Sequence, residues 1–382
     1  MNPTLSRSFV LKGLSLLLGV ILTLVLLLLV ELGFRLLSEE ARGLAPWLPA
    51  DRDSAVSRAE LLEFHRERAQ VHEFDPVLFW RNKPGVDVEW RGVRVQTNSL
   101  GLRDDEVPES RAEDEYRILL LGESTAFGDL VAKQRVFAEV LEKALDRRSE
   151  NCRVSVINAA VTGYSLFQSY KYLQMYGLDL EPDMVMIYHG RNDFFSTAFT
   201  SSRTASPLGE AGLSDLEISE ERSRFPNNID LHLYYNSFAY RWIQGLSFGR
   251  AGDGTSEHRT GGKPRVSESE RREILEKIRR LLEEHRTRFV VLIPAYLSFT
   301  RHREVLIDFS RRTGVPAVDL ELAVASMGRE RSQLFFEDQL HPKPILHRAF
   351  AGHILRFLWH EENGQGLGSC LDARRSRGGP TE

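Results

Sequence analysis

Hydrophobic and polar positions change rhythm several times along the chain. From Gly13 to Val30 the residues are uncharged and mostly apolar (GLSLLLGVILTLVLLLLV), and the run resumes after Glu31 through Leu37. A helix needs roughly 20 such residues to cross a bilayer, so residues 1–37 read as an N-terminal transmembrane anchor. A cleaved signal peptide would carry a shorter apolar core and a small-residue cleavage site, whereas VELGFRLL follows here. Arg7 and Lys12 precede the span and Arg35 and Arg42 follow it, so the flanking charge is nearly balanced. The short N-terminal tail favours a cytoplasmic N-terminus and a catalytic domain on the extracytoplasmic side.

Residues 38–115 read as a stem. AELLEFHRERAQVHEF has the spacing of an amphipathic helix, and Asp75 to Gly85 (DPVLFWRNKPG) is rich in turn formers. VDVEW and VRVQT alternate apolar and polar positions around Arg91-Gly92, which predicts a β-hairpin.

From residue 116 the rhythm changes again. Five short apolar runs, RILLL (117–121), VSVINAA (154–160), DMVMIYHG (183–190), RFVVLIPA (288–295) and PAVDL (316–320), end in polar or small residues. Amphipathic stretches of helical length lie between most of them: VFAEVLEKALDRR, LFQSYKYLQMYGL, SESERREILEKIRRLLEEHRTR and HREVLIDFSRR. Ser267 with Glu270 forms a capping box for the third. Strands covered by helices on both faces lose their alternation and become continuous apolar runs, so the pattern predicts an α/β layer fold with a mainly parallel sheet. Residues 200–264 interrupt it between the third and fourth runs, too long a segment for a plain loop. The tail, 361–382, reads as disordered.

Composition narrows the function classes. The chain has 382 residues, 42% hydrophobic and 27% charged, with a net charge of -4. That is enough apolar content for a normal core, and neither the net charge nor any long basic run suggests nucleic acid as a partner. Cys152 and Cys370 are too few and too far apart for a metal cluster or a disulfide framework, and they say little about redox compartment.

In open α/β sheets ligands bind beyond the carboxyl ends of the strands, so the residues just past each apolar run matter most. They are Gly122, Glu123 and Ser124 after the first, Asn158 to Gly163 after the second, and Gly190 to Asp193 after the third. Near the C-terminus FFEDQLHP brings Asp338 and His341. A serine hydrolase needs a nucleophile, a base, an acid that orients the base, and donors for the oxyanion. Ser124 fits the first role, His341 the second and Asp338 the third. The amides of Ser124 and Gly163 with the side chain of Asn192 fit the last.

With these residues in view, the chain resembles the SGNH hydrolases, also called the GDSL family, through four signature blocks in order. They are Gly122-Glu123-Ser124-Thr125, Asn158 to Gly163, Gly190-Arg191-Asn192-Asp193, and Asp338-Gln-Leu-His341-Pro342. The resemblance covers roughly 116–360. It implies a flavodoxin-like three-layer α/β/α sandwich, a Ser124–His341–Asp338 triad, and an oxyanion hole of Ser124, Gly163 and Asn192. Glu123 stands where the family usually has Asp, which implies altered hydrogen bonding behind the turn rather than lost activity.

The other candidates read as structural. His189 sits at a strand end, and His302, His347, His353 and His360 lack companions at metal-ligand spacing. No metal or organic cofactor is required. Tyr234, Tyr235, Phe238, Tyr240 and Trp242 either line a pocket or pack the insertion onto the body. Asn98 to Arg103 reads as a structured turn, with an active-site role for Arg103 the lesser reading. The expected function is a membrane-anchored serine esterase acting on an ester-bearing small molecule, lipid or glycan. Two alternatives stand beside it: an O-acyltransferase for envelope polysaccharide, and a non-catalytic membrane-tethered scaffold.

Overall fold

The computed structural model describes residues 3–37, 67–75, 77–149, 152–195, 214–223, 264–297, 299–338 and 340–360. Helix α1 (Pro3–Leu37) opens the chain. Its Lys12–Gly33 stretch is long and apolar enough to cross a membrane and is not buried against the rest of the protein. At about 1.5 Å per residue that stretch spans ~33 Å, close to the thickness of a hydrocarbon core.

Two hairpins follow. Strand β1 (His72–Asp75) pairs antiparallel with β2 (Phe79–Asn82), so His72–Phe74, expected to end an amphipathic helix, are strand instead, and the turn-rich stretch after them carries β2. The Asp75 carboxylate closes that turn by accepting from the amides of Val77 and Leu78. Strands β3 (Asp87–Trp90) and β4 (Val93–Gln96) form the predicted second hairpin. Its two central residues, Arg91 and Gly92, have φ of 53° and 76°, the mirror-image turn that suits right-twisted strands.

The main sheet has five parallel strands: β5 (Glu115–Gly122), β6 (Arg153–Asn158), β7 (Met184–Tyr188), β8 (Arg288–Ile293) and β9 (Ala317–Asp319). Their spatial order is β6-β5-β7-β8-β9, which is the flavodoxin-like order with its switch point between β5 and β7. Around them lie α2 (Ser124–Phe127), α3 (Phe137–Asp146), α4 (Leu166–Tyr172), α5 (Asp215–Ser223), α6 (Glu268–Glu284), α7 (His302–Thr313), α8 (Leu320–Ala325), α9 (Arg331–Leu334) and α10 (Pro344–His360).

Alternate strand residues divide between two cores. Ile118, Leu120, Met186 and Leu292 pack with Phe137 and Leu141 of α3 and Phe350 and Ile354 of α10. Leu119, Leu121, Ile187 and Val291 pack with Phe167 of α4, Ile274 and Ile278 of α6, and Phe309 of α7. The strands are therefore covered on both faces, and the fold is the expected three-layer sandwich. The hairpins join the same cores, with Trp90 and Val95 on the first side and Phe79 and Trp80 on the second.

Local signals hold where they are short-range. Ser267 and Glu270 form the predicted capping box on α6. The predicted helix 166–178 is true helix only to Tyr172 and continues as a wider turn over Leu173–Gly177. Of the 200–264 insertion, α5 is the main described part; Tyr234 to Trp242 and the tail 361–382 lie outside the described residues. Cys152 is disulfide-bonded, a pairing that the cysteine count did not suggest.

Candidate active site

Ser124 stands where β5 ends. Glu123 is extended (φ -101°, ψ -164°), so Ser124 becomes the first residue of the one-turn helix α2, which Gly128 closes at φ 90°. The strand-to-helix corner is tight: a Cβ on Gly122 would lie 2.6 Å from the Cβ of Ala126 and 3.1 Å from the Tyr188 carbonyl. So short a helix leaves its carbonyls without internal donors. Arg103, buried and stacked on Phe127, donates to the carbonyls of Phe127 (2.7 Å), Gly128 (2.6 Å) and Val131 (2.7 Å). Asn158 donates to Ala126 O at 2.9 Å. Arg103 thus supports the Ser124 turn from behind.

His341 and Asp338 share one loop between α9 and α10. Asp338 Oδ2 accepts from His341 Nδ1 at 2.5 Å, and Oδ1 accepts from the amides of Leu340 (2.9 Å) and His341 (3.0 Å). Partial burial would raise the Asp338 carboxyl, but these donors hold it well below the usual carboxylate range. His341 is buried, which by itself would lower its pKa. The Asp338 hydrogen bond and the negative charges of Asp129 and Asp338 outweigh that, and its pKa lies above 6.5. Among the described residues Nε2 makes no hydrogen bond, and it stands 3.9 Å from Asp129 Oδ2. Asp129 in turn donates its amide to Ser124 O at 2.9 Å, so the free ring nitrogen faces the loop that leaves Ser124.

Gly163 adopts φ 82°, a conformation that costs glycine little. Its carbonyl accepts from Arg265 Nη1 at 2.7 Å. Arg265 also donates to Gln168 Oε1 (2.5 Å) and pairs with Asp215 (2.9 Å), both ionic side chains being fully buried. Ser165 Oγ donates to the same Asp215 carboxylate at 2.7 Å. Asp215 from the insertion and Arg265 just after it therefore brace the glycine loop.

Asn192 lies in the short turn Arg191–Phe194 after β7. One N–H of its side chain donates to Tyr164 O at 3.1 Å, which leaves a second for a ligand. Its backbone amide donates to Glu123 Oε2 at 3.4 Å, and the Tyr296 hydroxyl donates to Glu123 Oε1. Tyr296 also accepts from the Arg191 amide at 3.2 Å. Gly190 permits this approach, because a Cβ there would come within 2.7 Å of the Tyr296 hydroxyl. Glu123 therefore bolts the Asn192 turn to the Ser124 turn. Its burial, with Asp193 nearby, pushes the carboxyl up to about 7.

The nucleophile, glycine and asparagine blocks thus meet at the switch point, with the His341 loop beside them. His189, His302 and His347 are each held in buried hydrogen bonds. His189 bonds Ser169 Oγ at 2.7 Å, and burial with Arg271 and Arg265 nearby takes it down to about 3. Burial likewise lowers His302, which donates to Pro294 O at 2.7 Å, and His347, which accepts from the Phe137 amide at 3.2 Å. Pattern reading missed Asp129, Thr162, Arg265 and Asp215, and it took Arg91 only as a turn residue. Each contributes through a contact between distant parts of the chain, so no local spacing announces it.

No protein-family model matches the chain, and no curated protein does. Solved structures are similar to it. One is the psychrotrophic esterase EstA from Pseudoalteromonas sp., at 15% identity over 65% of this chain and 98% of that one, with a TM-score of 0.40. Another is the lipase/acylhydrolase from Enterococcus faecalis, at 17% identity over 65% and 96%, with a TM-score of 0.39. A third is an acetylxylan esterase from Geobacillus stearothermophilus, at 12% identity over 63% and 93%, also at 0.39. At such identities and scores, what this site does has to come from its own geometry.

Proposed function

We propose that the chain is a membrane-anchored serine esterase of the SGNH type, with Ser124 as nucleophile, His341 as base and Asp338 as its orienting acid. The observation that carries this reading is the Asp338–His341 pair. Its Nδ1 hydrogen bond is 2.5 Å, and its free Nε2 is turned toward the loop of the strand-end serine. In the reaction, Ser124 Oγ attacks the ester carbonyl while His341 Nε2 takes the hydroxyl proton. Asp338, ionised across the working pH range, holds Nδ1–H and favours the imidazolium. The oxyanion receives N–H groups from Ser124, Gly163 and Asn192 Nδ2. His341 then protonates the departing alcohol, and water enters through the same base to free the acid and restore Ser124. Among the described residues Ser124 Oγ and His341 Nε2 are not hydrogen-bonded; on this reading the bond tightens in the substrate complex, as is common where catalytic contacts are loose in the free enzyme.

Helix α1 supports attachment to a membrane, and the disulfide at Cys152 supports the extracytoplasmic side, where such bonds persist. The test is hydrolysis of short-chain nitrophenyl esters by the full-length protein in detergent, repeated with a glycan acceptor present. Release of free acid in both conditions is the expected result. Acyl-glycan as the sole product would convert the reading to a transferase, and no turnover of any ester would defeat it.

A further inference from the structure

His341 has a second carboxylate facing it that the triad does not use. Asp129 is buried, with Oδ2 3.9 Å from Nε2 of the imidazole. It is held rigidly: Thr162 Oγ1 donates to Oδ1 at 2.6 Å, and Arg91 Nη1 donates to Oδ2 at 3.1 Å. At 3.9 Å the carboxylate is too far to hydrogen-bond Nε2, so it does not compete with Ser124 for that nitrogen. It is close enough for its charge to act, because low-dielectric surroundings screen little.

Arg91 arrives from outside the sandwich, at the tip of the β3–β4 hairpin. Its backbone φ of 53° is one that L side chains rarely adopt. It is the conformation that the two-residue turn of this hairpin requires. Its guanidinium lies over the Trp90 ring at 4.5 Å and also pairs with Glu67 at 2.7 Å.

We propose that Asp129 is a positioning residue for the base. It holds the Nε2 side of His341 in a negative field that stabilises the imidazolium formed as Ser124 loses its proton, and Arg91 sets the strength of that field. The hairpin thereby becomes part of the catalytic electrostatics. This rests on the reading of His341 as base. The groups facing His341 are Asp338 from its own loop, Asp129 and behind it Arg91, Glu123 from the nucleophile turn, and neutral His347 from α10. Asp129 itself is faced by Arg68, Arg91 and Arg103. The directions agree: Asp129 raises the His341 pKa and Arg91 lowers it.

The experiment compares wild type, Asp129→Asn and Arg91→Gln as full-length proteins in detergent. The pH profile of kcat/KM on a nitrophenyl ester is read beside an NMR titration of the His341 imidazole. Loss of Asp129 should move the acid limb and the imidazole titration down by about one pH unit. That is the low end for a charge at ~4–6 Å, since Arg91 offsets part of the field. Loss of Arg91 should move both upward. A purely structural role would lower activity at every pH without moving the limb. The proposal fails if folded Asp129→Asn titrates like wild type, or if Arg91→Gln shifts downward. Should Asp129→Asn not fold, the direction of the Arg91→Gln shift decides. If wild type hydrolyses no ester, the base reading falls, and the imidazole titrations still decide the coupling.

Discussion

Glu123→Gln isolates the carboxyl that joins the Ser124 turn to the Asn192 turn. Glu123 is 2% exposed and receives hydrogen bonds from the Tyr296 hydroxyl and the Asn192 amide. Those donors do not offset its burial, and its pKa rises from 4.5 to about 7. The folded chain therefore holds this proton more tightly than the unfolded chain does. The resulting stabilisation is complete below about pH 4.5 and disappears as pH rises to about 7. At about 1.4 kcal/mol per pH unit the whole effect is worth about 3 kcal/mol, with about 2.5 kcal/mol of it between pH 5 and pH 8. Glutamine keeps one carbonyl acceptor, enough for Tyr296 or the Asn192 amide but not for both, and it does not titrate; the lost hydrogen bond is the same at both pH values and cancels in the comparison. Asp104 and Glu142, whose burial raises them to about 6 and about 7, are present in both proteins and cancel in the comparison. The assay is urea unfolding of the detergent-solubilised full chain by tryptophan fluorescence at pH 5 and pH 8. Wild type should lose about 2.5 kcal/mol more than Glu123→Gln over that interval. Equal losses, to within about 0.5 kcal/mol, would show that Glu123 carries no proton near neutrality and would refute the reasoning.

Two further outcomes follow from the same contacts. Arg103→Met strands three buried carbonyls behind Ser124, which should cost about 3 kcal/mol in urea unfolding and depress kcat. Lysine should restore only part of it, lacking the fork of donors, and wild-type stability in the methionine variant would remove Arg103 from its bracing role. The exposed apolar surface of α1 should keep the full-length protein in the membrane pellet after alkaline carbonate washing, and release into the supernatant would argue against an anchor.

The parts of the fold that could be read from sequence are those written in short-range patterns. Runs such as RILLL and RFVVLI are apolar throughout because both faces of the strand are covered, so they announced a parallel sheet. Ser267 and Glu270 announced a helix start because a capping box is closed by residues three apart. The β1–β2 hairpin was hidden because its first strand ends a stretch with helical spacing and its second lies in the turn-rich DPVLFWRNKPG, while its stability comes from packing Phe79 and Trp80 into the distant sheet. Helix α4 yielded to a wider turn after Tyr172 without a glycine or proline before Gly177 to mark the change. For the candidate site, strand ends and a three-residue spacing were enough to single out Ser124, Gly163, Asn192, Asp338 and His341 as candidates. Asp129, Arg91 and Arg265 were not, since their roles exist only once the hairpin, the glycine loop and the insertion close on one another.

In the proposed mechanism Ser124 is a nucleophile activated by His341. The most direct test of this is fluorophosphonate labelling of the full-length protein, with the modified peptide identified by mass spectrometry. The expected result is a single adduct on the peptide carrying Ser124, abolished by Ser124→Ala and strongly slowed by His341→Ala. A folded wild-type protein that takes no label, or takes it on another serine that Ser124→Ala leaves untouched, would contradict it.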